Sequence, residues 1–252
     1  MEALPPPVSM PGKSGKPKDA GLACHLNPRV HGLSPAGPDA PFLYMLPKAT
    51  EARIPDTSMN TPDRKEIRKK IKALRESLAA DERLNAGKLA AAFALTLPEL
   101  QNADTIALYM TDRGELPTEF LLEELLSRGK RIALPRVDPV INGKMTFRVY
   151  RDGDVLVPDR FGIREPGPLA PEVPLGEIDL MFTPLVAFDR SGMRLGMGGG
   201  FYDRTLAERK RTGSGPFPVG LALSCQEIPS VPAEEWDMPL PAIVTELGII
   251  RI

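Results

Sequence analysis

Four glycines fall within the five positions 196–200, between a run that reads as buried strand and a run that reads as helix. The full stretch is Arg194-Leu195-Gly196-Met197-Gly198-Gly199-Gly200-Phe201-Tyr202-Asp203-Arg204. Upstream, Ile178-Asp179-Leu180-Met181-Phe182 and Leu185-Val186-Ala187-Phe188 suit a buried strand, and downstream Phe201 to Arg211 suits a helix. Glycine takes positive φ freely and lets consecutive N–H groups converge on one anion. Strand, glycine loop and helix N-terminus therefore predict an anion site inside an α/β architecture. By themselves the glycines fit a flexible loop or hairpin turn equally well. The flanking arginines, tyrosine and carboxylate tip the reading toward a phosphate cradle.

Neither common nucleotide fingerprint fits. Gly196-Met197-Gly198-Gly199-Gly200-Phe201 lacks the last glycine of G-x-G-x-x-G, and no Lys-Ser/Thr follows to make a Walker A loop. Gly12-Lys13-Ser14 is a decoy, because it lacks the earlier glycine and has no strand ahead of it.

Residues 1–60 carry 11 of the 28 prolines and show neither strand nor helix periodicity, so they predict an extended or loosely docked arm. The apolar patch Pro41-Phe42-Leu43-Tyr44-Met45-Leu46 is a docking candidate within it. The folded domain is expected over 61–252. Thr61-Pro62-Asp63 predicts its start, with Thr61 capping, Pro62 at the first helical position and Asp63 facing the dipole. A basic helix follows over 62–78 and a second over 80–97, ending before Pro98. Strands are then expected over 105–110, 130–135, 145–150, 179–188, 217–223, 242–245 and 249–252, with helices over 118–128 and 201–211. This alternation predicts an α/β fold: a mostly parallel sheet flanked by helices, a Rossmann-like three-layer sandwich. Ligands in such sheets bind beyond the carboxyl ends of the strands, where the glycine loop falls.

Lys+Arg of 32 against Asp+Glu of 33 leaves a net charge of −1, so no global field attracts nucleic acid or anionic lipid, and any anion site must be local. Cys24 and Cys225 form no CxxC pair, which excludes a disulfide framework and makes a reducing cytoplasm the default. Cys24, His25 and His31 form an incomplete metal set. Neither a signal-peptide run nor a membrane-spanning run occurs in the sequence. A monomer or weak dimer is expected.

Arg64 and Arg68, four apart, share a helical face and are long enough to reach phosphate, although a solvated basic face is the plainer reading. Glu115 lies in the loop Tyr109–Thr118 beyond the first strand, either as a site acid or as a helix-entry charge. Asp203 and Asp237 are candidate Mg²⁺ ligands, or else a first-turn dipole acid and a loop cap; Mg²⁺ bound with nucleotide takes one or two carboxylates plus phosphate oxygens.

The stretch Arg194–Arg204 resembles the signature of the 5-formyltetrahydrofolate cyclo-ligase family. Further pieces agree in order: Arg64-Lys65-Glu66-Ile67-Arg68 resembles its basic first-helix motif, and Gly114-Glu115-Leu116-Pro117-Thr118 its acid-bearing loop. Phe161-Gly162-Ile163-Arg164-Glu165-Pro166 is similar to its mid-chain element, and Trp236-Asp237-Met238-Pro239-Leu240 with Val244-Thr245-Glu246 to its closing segment. The resemblance implies an ATP- and Mg²⁺-dependent closure of 5-formyltetrahydrofolate, mono- or polyglutamylated, to 5,10-methenyltetrahydrofolate. It implies that Arg64, Arg68, Arg194, Leu195, Gly196, Met197, Gly198, Gly199, Gly200, Phe201 and Tyr202 hold ATP, and that Asp203 and Asp237 hold Mg²⁺. Met110, Glu115, Phe161 and the overlapping Met197–Phe201 would face the folate, with Phe161 a stacking surface and Glu115, Arg194 and Tyr202 catalytic. Cys225 is expected in the core. Arg64 stands where lysine is common in the family, Gly199 where some members carry lysine, and the arm has no counterpart. If Gly199 leaves a phosphate contact missing, Arg204 or Arg194 is the expected replacement. Another ATP-dependent ligase or kinase on the same sheet, or a non-catalytic folate- or nucleotide-binding regulator, are the competing readings.

Overall fold

The computed structural model describes residues 63–252 except Asn142. The proline-rich arm, its apolar patch, the Cys24–His25–His31 set and the roles given to Thr61 and Pro62 lie outside the described residues.

Asp63 is the N-cap of α1 (Arg64–Ser77), accepting a hydrogen bond from the Lys65 amide at 3.1 Å. Asp63 was expected one position inside the helix; a short acceptor just before the first turn satisfies an otherwise orphaned amide better there. Ile67, Ile71 and Arg75 recur at spacings of four and form the buried stripe of α1. The alanine-rich α2 (Ala80–Ala94) buries Ala86, Ala90, Ala91 and Ala94, small enough for close approach to its neighbours. Gly87 shows how close: a Cβ there would lie 2.8 Å from Pro117. Pro98 ends the preceding run and also opens the short α3 (Pro98–Gln101), its missing N–H costing nothing at a first helical position.

The remaining elements are β1 (Thr105–Ala107), α4 (Glu119–Ser127), β2 (Arg131–Val137), β3 (Met145–Tyr150), β4 (Leu156–Pro158), β5 (Arg164–Pro166), β6 (Glu172–Val173) and β7 (Leu180–Pro184). They continue with β8 (Ala187–Phe188), β9 (Arg194–Leu195), α5 (Phe201–Thr212), β10 (Phe217–Leu221), β11 (Ala242–Thr245) and β12 (Gly248–Arg251). One sheet runs in the order β12-β11-β10-β7-β1-β2-β3-β6. Its centre, β11 through β2, is parallel, and β12, β3 and β6 pair antiparallel at the edges. This is the expected mostly parallel α/β sheet.

Strand residues alternate between two cores, as the period of two requires. Ile106, Ile132, Leu134, Leu180, Phe182, Leu221 and Val244 pack with α2 and α4, while Ala107, Ala133, Met181 and Ile243 share a cluster with Leu206 of α5. Helices therefore cover both faces. Full burial of each such leucine, isoleucine or phenylalanine stabilises the fold by ~1.5–3 kcal/mol.

The single strand expected over 179–188 is instead two. β7 ends at Pro184, and the Leu185 and Val186 carbonyls accept from Gln226 Nε2 at 2.7 and 2.9 Å rather than from a strand. The chain then forms the small β8–β9 hairpin, against which α1 docks through Ile67 and Ile71 with Val186, Ala187, Leu195 and Val231. That docking carries the basic helix to the carboxyl end of the sheet. Among the described residues no helix is long and apolar enough to cross a membrane.

Candidate active site

The glycine loop leaves β9 and enters α5. Gly198 has φ 101° and Gly200, the N-cap of α5, φ 65°, a region that side-chain-bearing residues rarely adopt. No side chain caps this helix, so its first-turn amides face outward at the positive end of the dipole. Arg204 donates to the Gly199 carbonyl and, at 2.8 Å, to the Gly143 carbonyl, bracing the loop from behind. Arg204 therefore serves the loop backbone. A Cβ at Gly199 would lie 2.8 Å from the Phe201 ring, so the aromatic ring occupies the space a side chain there would take.

Arg68 Nε donates to the Gly196 carbonyl at 2.8 Å, and its guanidinium carbon lies 3.7 Å from where a Gly198 Cβ would be. Arg68 thus faces the loop. Arg64 Nη2 donates to both carboxylate oxygens of Asp237, at 3.2 and 2.9 Å, and Asp237 also accepts from the Glu234 amide at 2.8 Å. Across the loop, the buried Arg194 donates to Asp203 at 2.7 Å, and its Nη1 lies 3.8 Å from where a Gly196 Cβ would be. Arg68 and Arg194 thus flank Gly196, and each candidate metal ligand is neutralised by an arginine, Asp203 by Arg194 and Asp237 by Arg64. Among the described residues no cluster of three or more histidine, cysteine or acidic side chains occurs.

Glu115 sits on the turn beyond β1. Arg113 has φ 47°, the one positive φ outside glycine among the described residues, and Gly114 follows at φ 74°. Two threonines lock this loop: Thr118 Oγ1 donates to the Tyr109 carbonyl at 2.8 Å, and the Thr118 amide donates to Thr111 Oγ1 at 2.9 Å. The Asp112 amide donates to Glu115 Oε2 at 3.2 Å, but burial outweighs that bond and raises the Glu115 pKa to about 7. Burial, then the nearby Glu115, also raises Tyr202 well above the ordinary phenol value, so the field of the Glu115 carboxylate reaches the Tyr202 hydroxyl. Met110, nearly buried, lines the base of this loop.

Phe161 is half exposed at the tip of a tight turn in which Asp159 Oδ1 accepts from the Phe161 and Ile163 amides at 2.7 and 2.9 Å. Arg113 Nη2 donates to the Phe161 carbonyl at 3.2 Å, tying the aromatic turn to the Glu115 turn. Behind it, Arg136 pairs with the buried Glu165 at 2.7 Å, and Glu165 also accepts from the Val137 amide. Met197 and Trp236 are exposed, and Cys225 packs partly buried against the core with its thiol pKa raised by burial.

Sequence reasoning missed Arg75, which lies eleven residues after Arg64 on the same face of α1. It is 1% exposed, and its Nε and Nη1 have no hydrogen-bond partner. It also lines a cavity of about 510 Å³ with Lys65, Arg68, Lys69, Lys72 and Met197. The signal was present, since an arginine continued the stripe of Ile67 and Ile71, but a buried cation is uncommon enough to be passed over.

The family model described as 5-formyltetrahydrofolate cyclo-ligase matches residues 60–246. A 5-formyltetrahydrofolate cyclo-ligase of Haemophilus influenzae is 42% identical over 183 residues, covering 72% of this chain and 97% of that protein. The Escherichia coli K12 enzyme of the same name is 43% identical over 176 residues, covering 69% and 96%. In structure, the chain superposes on a 5,10-methenyltetrahydrofolate synthetase from Aquifex aeolicus with a TM-score of 0.65 and 31% identity, covering 75% of this chain and 92% of that one.

Proposed function

The chain belongs to the 5-formyltetrahydrofolate cyclo-ligase family, and we propose that it uses ATP and Mg²⁺ to close 5-formyltetrahydrofolate to 5,10-methenyltetrahydrofolate, releasing ADP and phosphate. The observation that supports the ATP assignment is the placement of Arg68 and Arg194 beside a glycine loop that leads into an uncapped helix N-terminus. Such an arrangement suits a polyphosphate.

The formamide oxygen leaves poorly. It takes the γ-phosphoryl group as the bond to ADP breaks, N10 then attacks the activated formyl carbon, and the oxygen departs with phosphate. Phosphoryl transfer of this kind depends chiefly on alignment and charge neutralisation. The α5 amides and Arg68 orient the phosphates, while Arg194, held at 2.7 Å by Asp203, keeps its charge beside them. Asp203 and Asp237 fit Mg²⁺, since two hard carboxylates plus phosphate oxygens and water make up its preferred donor set. When bound there, Mg²⁺ would neutralise charge developing on the phosphates.

Glu115, Met110, Phe161 and Met197 supply the folate side. Phe161 offers an exposed ring to a flat heterocycle, and Glu115 offers a carboxyl whose pKa of about 7 lets it donate or accept at neutral pH. Lys65, Lys69 and Lys72, on the wall of the cavity beside Met197, suit the acidic tail of a polyglutamylated substrate.

The test is the near-ultraviolet absorbance of the methenyl product, followed with purified protein, 5-formyltetrahydrofolate, Mg²⁺ and ATP. An ATP-dependent rise is expected. ATP binding by calorimetry without a rise would move the assignment to another substrate.

A further inference from the structure

A buried guanidinium needs a reason. Arg75 has an exposure of 1%, makes one long hydrogen bond of 3.4 Å to the Arg113 carbonyl, and leaves Nε and Nη1 unpaired. Among the described residues no carboxylate lies within ion-pair distance of it. Such a charge is costly unless nearby charge or dipole offsets it. Its Cβ and backbone pack about 4 Å from where a Gly114 Cβ would be, so it abuts the turn that presents Glu115. The carbonyl it holds belongs to Arg113, whose φ of 47° is the strained point of that turn.

We infer that Arg75 is a positioning residue for Glu115: from beneath α1 it clamps the strained Arg113–Gly114 turn and projects positive charge onto the Glu115 carboxyl without pairing with it. This rests on the role of Glu115 given under Proposed function. An ion pair would lock Glu115 ionised and engaged, whereas a cation that does not pair with it leaves the carboxyl available to a ligand. The other groups facing Glu115 are Asp112 and Arg113 on its own turn, Tyr109 beyond β1 and Tyr202 on α5. Burial and the Asp112 carboxylate resist ionisation of Glu115, while the Asp112 amide, Arg75 and Arg113 favour it. Arg75 is the one member of this set that α1 contributes.

The deciding experiment titrates the Glu115 carboxyl directly, by carbon NMR of glutamate-labelled protein, in wild type, Arg75→Met and Arg75→Lys, with Glu115→Gln identifying the resonance. The pH dependence of kcat/KM is measured on the same proteins. Met keeps the bulk, removes the charge and eliminates the unpaired N–H groups, so the fold should tolerate it. Expected is an upward move of the Glu115 midpoint by about half a pH unit or more in Arg75→Met, with the same shift in the limb of the activity profile whichever form is active. Arg75→Lys should restore most of the midpoint. An unmoved midpoint in folded Arg75→Met overturns the proposal; if that variant does not fold, a Glu115 midpoint in Arg75→Lys raised by as much as a neutral side chain would give does so. A wild type that turns over no folate would sink the functional reading, while the NMR titration still decides the role of Arg75.

Discussion

On the glycine-loop side of the site, each candidate metal ligand already has a cation against it: Arg64 Nη2 reaches both oxygens of Asp237, and Arg194 reaches Asp203 at 2.7 Å. On the Glu115 side, Arg75 is buried and Glu115 partly buried, and among the described residues neither forms an ion pair. The first arrangement is mutually satisfied charge, which, under the proposed function, a nucleotide with its metal would enter by exchange of partners. The second holds unsatisfied groups in a low-dielectric turn, where a small molecule offering hydrogen bonds gains the most. Rigid charge suits a ligand that every such enzyme must grip, and an unsatisfied pocket suits the ligand that must be distinguished.

The largest effect should come from breaking the satisfied side. Asp237→Asn and Asp203→Asn keep an oxygen for Arg64 and Arg194 but remove the negative charge. Each should reduce turnover on the order of a hundredfold or more and raise the Mg²⁺ concentration needed for half-maximal rate. Steady-state assays across a Mg²⁺ series check this, and wild-type rates in both variants would remove the metal assignment.

Glu115→Gln should break the other side in an instructive way, losing activity while gaining stability. The folded carboxyl has a pKa of about 7 against an ordinary 4.5, so the fold favours the protonated form. Below the ordinary value both folded and unfolded states are protonated and nothing is lost. As pH rises toward 7 the folded state must either keep a proton the unfolded chain has released or carry a buried charge, and stability falls until the carboxyl ionises. Above about pH 7 the penalty is complete, on the order of 3 kcal/mol. The glutamine variant carries no such penalty. Urea unfolding should find it more stable than wild type at about pH 8 and nearly equal at about pH 4.5, with the kcat/KM limb near neutrality gone.

How much of this could be read in the sequence divides along the same line. The loop side was legible because its chemistry is local: glycines, arginines and aspartates lie in short motifs, and α1 spacing alone put Arg64 and Arg68 on one face. The sheet was legible where apolar residues alternate with polar ones, as in β3, or run together between turn residues, as in β11. It was misread over 179–188, where Pro184 and two carbonyls bound by Gln226 turn one apolar run into two strands. The hairpins β4–β5 and β8–β9 use strands of two or three residues, too short for any periodicity to register. Spacing put Arg75 on the buried stripe of α1, but the turn it meets, like the Arg136–Glu165 brace, depends on which distant backbone lands beside it, and no spacing in the chain encodes that.

Phe161→Ala should have a moderate, one-sided effect. Its ring is half exposed, and the turn beneath it is held by backbone bonds to Asp159 and by Arg113 on its carbonyl, all of which survive the truncation. The fold should be unchanged, the KM for folate should rise about three- to tenfold from the loss of one stacking contact, and the KM for ATP should stay within error. A parallel rise in the ATP KM would place the ring on the nucleotide side instead.

The smallest effect should be Arg64→Lys. Both contacts from Arg64 to Asp237 come from a single nitrogen, Nη2, so the geometry is not the two-pronged fork that lysine is unable to reproduce. The Nη1 approach to Glu234 is 3.6 Å and half exposed, worth little by itself. The substitution also removes Nε, which is buried without a partner. Turnover should therefore stay within about threefold of wild type and thermal stability should hold or rise slightly. Arg64→Gln, which leaves the buried Asp237 without a cation, should be markedly worse on both counts. If lysine proved as damaging as glutamine, planar donation from Arg64 to the phosphates, rather than charge against Asp237, would be the property that the first helix supplies.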